Sequence, residues 1–438
     1  MTDIQLLALV VVLLLVVLFL GHPLALSLGA LGIFLGLVFL GPSVFPLAIT
    51  KTYSLMCNFS LIAIPLFVFM AYILDKAGIA KIMFDGMRDL TGGLAGGLAV
   101  ATDLVCTLMG ASTGIIATGV VSMGVIAGPH MLKHGYDKKL TVGCIMAGGT
   151  LGILVPPSIM LVLMGAVAGI SVGRLFMGGV GTGLLLSSLY IIYILLLCRR
   201  HPELGPPVPV EERAAVRTRL VRGVKGVGPP IFLIVAVLGS IFTGVATPAQ
   251  AGAIGAFIAI IMMIAYGQFN LANMTSATTE SLKISTMVLF IIFGANIFAA
   301  IFMAMGCGRT LGDIFAALGN KWLFIALTML LVYILGMFID WTAILVLLIP
   351  IFFPIAVGTY GLDPFWFGMI VAVNLQASFL SPPFGYALFF IKALKLPGVT
   401  LGDIYRSSLP FLGLQVVGLA LVIIFPPIAT YLPSIMHW

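Results

Sequence analysis

The sequence predicts an all-α polytopic membrane protein, built as an inverted repeat of two five-span halves. Each half carries a re-entrant helical hairpin and a broken helix. Three observations lead there. First, 61% of the 438 residues are hydrophobic and only 8% are charged, and the mean hydropathy of +1.25 lies far outside the range of a water-soluble domain. Second, apolar runs of helix-spanning length recur at 4–20, 24–40, 55–74, 138–169, 175–198, 230–245, 249–267, 283–305, 322–338, 343–357, 365–391 and 409–432. The short alternating strands of a membrane β-barrel are missing from this pattern. Third, two Pro-Pro pairs, Pro156-Pro157 and Pro382-Pro383, lie inside such runs, 226 residues apart.

The offset of 226 organises the chain. It lays the run at 4–20 on 230–245, 24–40 on 249–267 and 55–74 on 283–305, and it matches Gly110 with Gly336 and Gly135-Tyr136-Asp137 with Gly361-Leu362-Asp363. Beyond the second Pro-Pro pair the register slips by three, so that Gly173-Arg174 meets Gly402-Asp403 at 229. Each half then reads as three spans, a surface helix, a hairpin that enters and returns, a broken span and a final span. The first repeat covers 1–200, with its hairpin near 92–128 and its broken helix near 138–169. A linker follows at 201–228, and the second repeat covers 229–438, with its hairpin near 322–357 and its broken helix near 365–391. The run at 6–20 lacks a basic leader and a small-residue cleavage site, so it is expected to be an uncleaved first span.

Five crossings per half is an odd number, which inverts the second half relative to the first. Charge tests this, because cytoplasmic loops collect Lys and Arg. With the 199–228 segment inside, 17 of the 21 basic residues are cytoplasmic, and Lys51, Arg174, Arg309 and Lys321 remain outside. The loop from Lys133 to Lys139 carries three lysines, whereas its counterpart from Gly358 to Pro364 carries none. Both termini are then extracytoplasmic. The formal charge of +7 thus reflects membrane topology instead of a nucleic-acid partner. The basic helix expected near 211–225 joins the repeats. The five cysteines stand singly, with no spacing that suggests a disulfide framework or a zinc site. His130 and His134 read as surface or loop histidines, and no nucleophile–base constellation suggests an enzyme.

Chemistry concentrates at the hairpin tips and the breaks. A proline pair removes backbone donors and clashes with the preceding turn, so it opens the helix. Opened backbone at membrane depth is tolerable only where protein buries it or a cavity is lined by it, and paired broken segments point to a secondary transporter's binding site. In the first half Gly110, Ser112 and Thr113 at the tip, with Thr150 and Gly152 before the break, supply hydroxyls and carbonyls. These are the hard oxygen ligands suited to Na⁺. In the second half Gly336, Asp340 and Thr342 stand with Ser378 and Ser381. An intramembrane acid is a functional-site hypothesis by default, which makes Asp340 the foremost candidate. Asp103 is weaker and is expected to cap or hydrogen-bond a hairpin helix. Substrate is expected between the tips, near Ser112, Pro156, Pro157, Gln376, Pro382 and Pro383, facing half-helix N-termini whose dipoles favour an anion.

The chain resembles the large membrane subunit of tripartite ATP-independent periplasmic (TRAP) transporters, within the ion-transporter superfamily. The resemblance rests on four ordered blocks: Ile64-Pro65-Leu66-Phe67; the stretch 110–119 running into Gly135-Tyr136-Asp137 and 152–158; Thr247-Pro248-Ala249-Gln250-Ala251; and Asp340-Trp341 through Pro350, 361–368 and Pro382-Pro383-Phe384-Gly385. Ala71 and His130 depart from the family pattern, both away from the candidate ion sites. The resemblance implies an elevator mechanism in the bacterial inner membrane with Na⁺ as coupling ion. It also implies a separate small four-helix membrane subunit and a periplasmic substrate-binding protein that delivers an organic anion such as a carboxylate or sulfonate. A stand-alone Na⁺/dicarboxylate carrier without a binding protein is the alternative. Reporter fusions within 199–228 are expected to report a cytoplasmic location, and an external location would overturn the charge-based topology.

Overall fold

A computed structural model describes residues 2–114, 116–209, 211, 213, 215–383 and 385–436. Ile115 and Phe384, which belong to two of the blocks above, lie outside the described residues. Every regular element among the described residues is helical. The first half comprises α1 (Asp3–Phe19), α2 (Leu24–Leu40), α3 (Val44–Met56), α4 (Ala63–Lys76), α5 (Ile79–Thr91), α6 (Gly97–Thr113), α7 (Ile116–Lys133), α8 (Lys138–Thr150), α9 (Ile159–Ala168) and α10 (Val172–Arg200). The second comprises α11 (Val216–Phe242), α12 (Pro248–Ala265), α13 (Leu271–Ala304), α14 (Cys307–Ala316), α15 (Lys321–Gly336), α16 (Trp341–Pro354), α17 (Pro364–Ser378), α18 (Tyr386–Ala393), α19 (Leu401–Ile424) and α20 (Pro427–Ile435). Eight described helical stretches are long and apolar enough to cross a membrane. This is a multi-pass membrane protein.

Helix starts follow local chemistry. Asp137 and Asp363 accept backbone N–H bonds at the first turns of α8 and α17, and Thr247 with Gln250 forms a reciprocal cap on α12. The starts of α8 and α17, Lys138 and Pro364, are 226 residues apart, and those of α10 and α19, Val172 and Leu401, are 229 apart. Several lengths differ from the apolar runs. The run at 138–169 divides into α8 and α9, and 365–391 into α17 and α18, each around a cis Pro-Pro bond. The run at 283–305 belongs to a 34-residue helix that begins at Leu271. The run at 409–432 breaks at Phe425-Pro426, because proline there removes the donor that would continue the ladder. The basic segment before Pro229 is continuous with the apolar run that follows, forming the single helix α11 with Pro229 and Pro230 inside it.

Close helix contact comes from small residues, as expected where lipid is as apolar as the side chains and packing must hold helices together. On α13 a Cβ at Gly294 would fall onto the Ala25 backbone of α2, and one at Gly32 would lie 2.9 Å from the Phe298 Cα. Gly226 of α11 approaches the Ile82 carbonyl of α5, at 2.7 Å from where a Cβ would stand. The 201–209 segment is tied down: Gly96 N–H donates to the Gly205 carbonyl (2.8 Å), Val208 N–H to Gly92 (2.8 Å) and Asp137 N–H to Leu204 (2.9 Å). The Lys138 ammonium donates to the Gly398 carbonyl at 2.7 Å, bringing two lysine-bearing loops of the two halves together. His130 and His134 stand at the end of α7 and are half-buried instead of loose on a surface, with His130 edge-on to Phe84 at 5.8 Å.

Gly294→Ala is expected to wedge α2 from α13 and to destabilise the protein by about 1–3 kcal/mol, the usual cost of overpacking. Thermal unfolding of the detergent-solubilised chain measures this, and an unchanged melting temperature would show that the two helices can separate freely.

Candidate ion and substrate site

The first tip is made by α6 and α7. Gly114 ends α6 in the left-handed region at φ 64°, with its N–H donating to the Gly110 carbonyl. A Cβ on Gly114 would lie 3.1 Å from the Pro157 carbonyl and 3.2 Å from Ile159 N, so the tip rests directly on the break. One turn back, Gly110 meets Gly152: a Cβ on Gly110 would sit 2.8 Å from Gly152 N and overlap its Cα. The tip and the break are therefore joined backbone to backbone. Gly119 and Gly149 make a similar contact between α7 and α8.

The hydroxyls expected at this tip are buried and turned toward their own helices. Ser112 donates to Leu108 and Met109 carbonyls (2.9 and 3.0 Å), Thr113 to Met109 (2.8 Å) and Thr150 to Ala147 (2.8 Å). Thr150 Oγ1 also accepts from Gln415 Nε2 at 3.5 Å. Ser158, which the sequence reading passed over, starts α9: its hydroxyl bonds the Ile153 carbonyl and accepts from Leu161 N at 3.4 Å. That bond satisfies a carbonyl freed by the break. Pro156 and Pro157 are buried.

The second tip repeats the contact with different side chains. A Cβ on Gly336, the last residue of α15, would lie 2.5 Å from the Ser378 Cβ at the end of α17. Ser378 Oγ donates to the Leu375 carbonyl (2.6 Å), and Ser381 Oγ donates to the Tyr333 hydroxyl (2.5 Å). Asp340 stands 226 residues after Gly114 and N-caps α16, accepting from Thr342 N at 2.9 Å. The Tyr386 hydroxyl, at the start of α18, also engages the Asp340 carboxylate. Gln376 is fully buried, and neither polar atom of its amide has a partner. Pro382 is half-buried and Pro383 exposed, so the second break is more open than the first.

At each tip two helix C-termini meet, α6 with α8 and α15 with α17, and their last carbonyls form a partial negative pole. The N-termini of α7 and α9, or α16 and α18, begin beside them and carry the opposite pole. Such a pairing accommodates a cation and an anion side by side. Sequence reasoning missed Tyr333, Tyr386 and Gln415. Each is a polar residue inside an apolar run, and that was the available signal.

Comparison with known proteins decides the family. The family model described as "Tripartite ATP-independent periplasmic transporter, DctM component" matches residues 11–428. The chain belongs to this family. It is 34% identical over 412 residues to the C4-dicarboxylate TRAP transporter large permease protein DctM of Pseudomonas aeruginosa, covering 93% of this chain and 94% of that one. It is 30% identical to the ectoine/5-hydroxyectoine TRAP transporter large permease UehC of Ruegeria pomeroyi, covering 85% and 86%. It is 28% identical to the sialic acid TRAP transporter large permease SiaM of Vibrio cholerae, covering 86% and 87%. Among solved structures, the YdaH transporter of Alcanivorax borkumensis shares the fold with a TM-score of 0.68 at 16% identity, covering 95% of this chain and 98% of that one. Neisseria gonorrhoeae MtrF shares it at a TM-score of 0.60 and 15% identity, covering 87% and 83%. A TRAP large permease is a transporter subunit, and the tips are where this one brings its polar groups together.

Gly336→Ala is expected to destabilise the second tip by about 1–3 kcal/mol through overlap with Ser378, and Ser378→Gly in the same chain is expected to restore most of the loss. Thermal unfolding of the single and double variants tests this, and a double variant no more stable than Gly336→Ala would rule out the contact as the cause.

Proposed function

We propose that this protein is the membrane transport subunit of a Na⁺-coupled importer of small organic anions, carboxylates or sulfonates, delivered by a periplasmic binding protein. It works in the bacterial inner membrane beside a separate small four-helix subunit. The two halves are inverted repeats, and the unit formed by both hairpins and both broken helices slides as an elevator against the remaining helices. In this reading Gly110, Ser112, Thr113, Thr150 and Gly152 surround one Na⁺, and Gly336, Asp340, Thr342, Ser378 and Ser381 surround the other. The anion lies between them, against the N-termini of α9 and α18.

The observation that carries this reading is the pair of tip-to-break contacts, Gly110 on Gly152 and Gly336 on Ser378, which gather helix C-termini at two places. Carbonyl poles suit a cation. The helix starts at 226 and 229 residue spacings support the repeat. The family favours delivery by a binding protein over the stand-alone carrier, because the relatives are named as TRAP large permeases. Those names span C4-dicarboxylate, ectoine and sialic acid, so the substrate follows the binding protein more than this chain.

Asp340→Asn is expected to weaken Na⁺ activation of uptake by about 10–100-fold, the usual loss when a group supporting a metal site is removed, while the protein still assembles. Proteoliposomes containing both membrane subunits, assayed over a Na⁺ series with and without the binding protein, check both parts. Unchanged Na⁺ dependence would sink the tip site, and full uptake without the binding protein would favour the stand-alone carrier.

A further inference from the structure

We propose that Asp103 anchors a further Na⁺ site buried between α6, α8, α10 and α19, deeper along α6 than the first tip and sharing none of the residues assigned to either tip. Asp103 lies in the middle of α6 instead of capping it, and it is fully buried. Its Oδ2 accepts from Ser187 Oγ on α10 at 3.0 Å, and Thr107 Oγ1 lies 3.3 Å from the same hydroxyl. Its Oδ1 has no hydrogen-bond partner. No ion pair among the described residues reaches it. A lone buried carboxylate held by one hydroxyl is a large uncompensated charge until a proton or a cation neutralises it, and its free Oδ1 is open to either.

The surroundings supply oxygens. Gln415 on α19 and Tyr190 on α10 are buried and bring an amide oxygen and a hydroxyl. Ser187 and Tyr190 are three residues apart on α10 and therefore share a face. The Tyr190 hydroxyl engages the Gln415 amide and lies within electrostatic reach of Asp103, while Gln415 Nε2 donates to Thr150 Oγ1 at 3.5 Å. Gly148 brings α8 directly against Oδ1, since a Cβ there would stand 3.2 Å from that atom and 2.8 Å from the Cys106 Cβ.

The chemistry selects the ion. The titratable groups that face Asp103 are the Cys106 and Cys144 thiols and the Tyr190 phenol, and none is basic. One carboxylate among neutral oxygens balances a single positive charge, whereas a divalent ion would leave an excess charge buried. The Cys144 thiol is turned to the Thr141 carbonyl at 3.2 Å, so soft ligands are occupied elsewhere. Hard oxygen donors with one negative charge fit Na⁺ better than a thiophilic metal. At the 226 offset Asp103 corresponds to Met329, so the carboxylate has no counterpart in the second half. It does not depend on the tips holding Na⁺.

Radioactive Na⁺ binding to the purified protein in nanodiscs, at fixed pH, tests the site. Asp103→Asn is expected to elute and melt as the wild type does without Na⁺ while binding one ion fewer. Ser187→Ala is expected to weaken that one ion by about 10–100-fold. Wild-type binding in both variants overturns the proposal, and if Asp103→Asn does not fold, Ser187→Ala decides alone. Loss of an ion in Asp103→Asn but not in Asp340→Asn would support this site and defeat the reading of the second tip. Loss in Asp340→Asn alone would do the reverse.

Discussion

A helix that ends inside a membrane leaves its last carbonyls and first amides without water, and only other protein atoms can take them. This protein ends helices at membrane depth around both breaks, so the rest of its architecture depends on how those ends are covered. Its solution is contact without side chains. Gly110 against Gly152, Gly114 against Pro157 and Ser158, and Gly336 against Ser378 seat each hairpin tip on the break of the neighbouring helix. Ser158 adds a hydroxyl to the Ile153 carbonyl, and Ser381 one to Tyr333. Because glycine leaves no bulk between tip and break, the tips are fixed by shape, and their hydroxyls are left to bond the carbonyls of their own helices.

The halves share this plan and diverge in charge. Gly114 closes α6 in a left-handed turn, which glycine adopts without the cost of a Cβ. At the corresponding place Asp340 takes the N-cap of α16 and meets Tyr386. The first half holds its own carboxylate, Asp103, a few turns deeper and against α10. An acid inside a membrane costs several kcal/mol unless neutralised. The two halves thus place these two acids at unrelated positions.

The helices around the tips are joined as closely as the tips themselves, through Gly294 on Ala25 and Gly32 on Phe298. The segment that links the halves is also bound, by backbone bonds to Gly92, Gly96 and Asp137. Polar contact between the halves includes Arg222 with Asp89, Lys138 with Gly398 and Gln415 with Thr150. The last two join α8, which leads into the first break, to the second half.

The sequence alone determined the all-α membrane class, because hydropathy is a sum over residues and needs no partner. It located the two Pro-Pro breaks as well, because each tandem pair opens its own turn. The family resemblance was legible for a related reason: ordered Gly, Pro and Asp blocks are constraints of the local backbone. The repeated motifs also grouped Gly110 with Gly152 and Gly336 with Ser378 across some forty positions. What the sequence could not assign was the contacts themselves, backbone on backbone in the first pair and backbone on the Ser378 side chain in the second. Tyr386 reaching Asp340, and Ser187 reaching Asp103, depend on the angle at which helices cross. The break at Phe425 and the continuation of α11 through Pro229-Pro230 also went against local expectation, since a proline ends one helix and is carried inside another according to what packs around it. Tertiary structure made those choices because burial and contact are properties of neighbours in space.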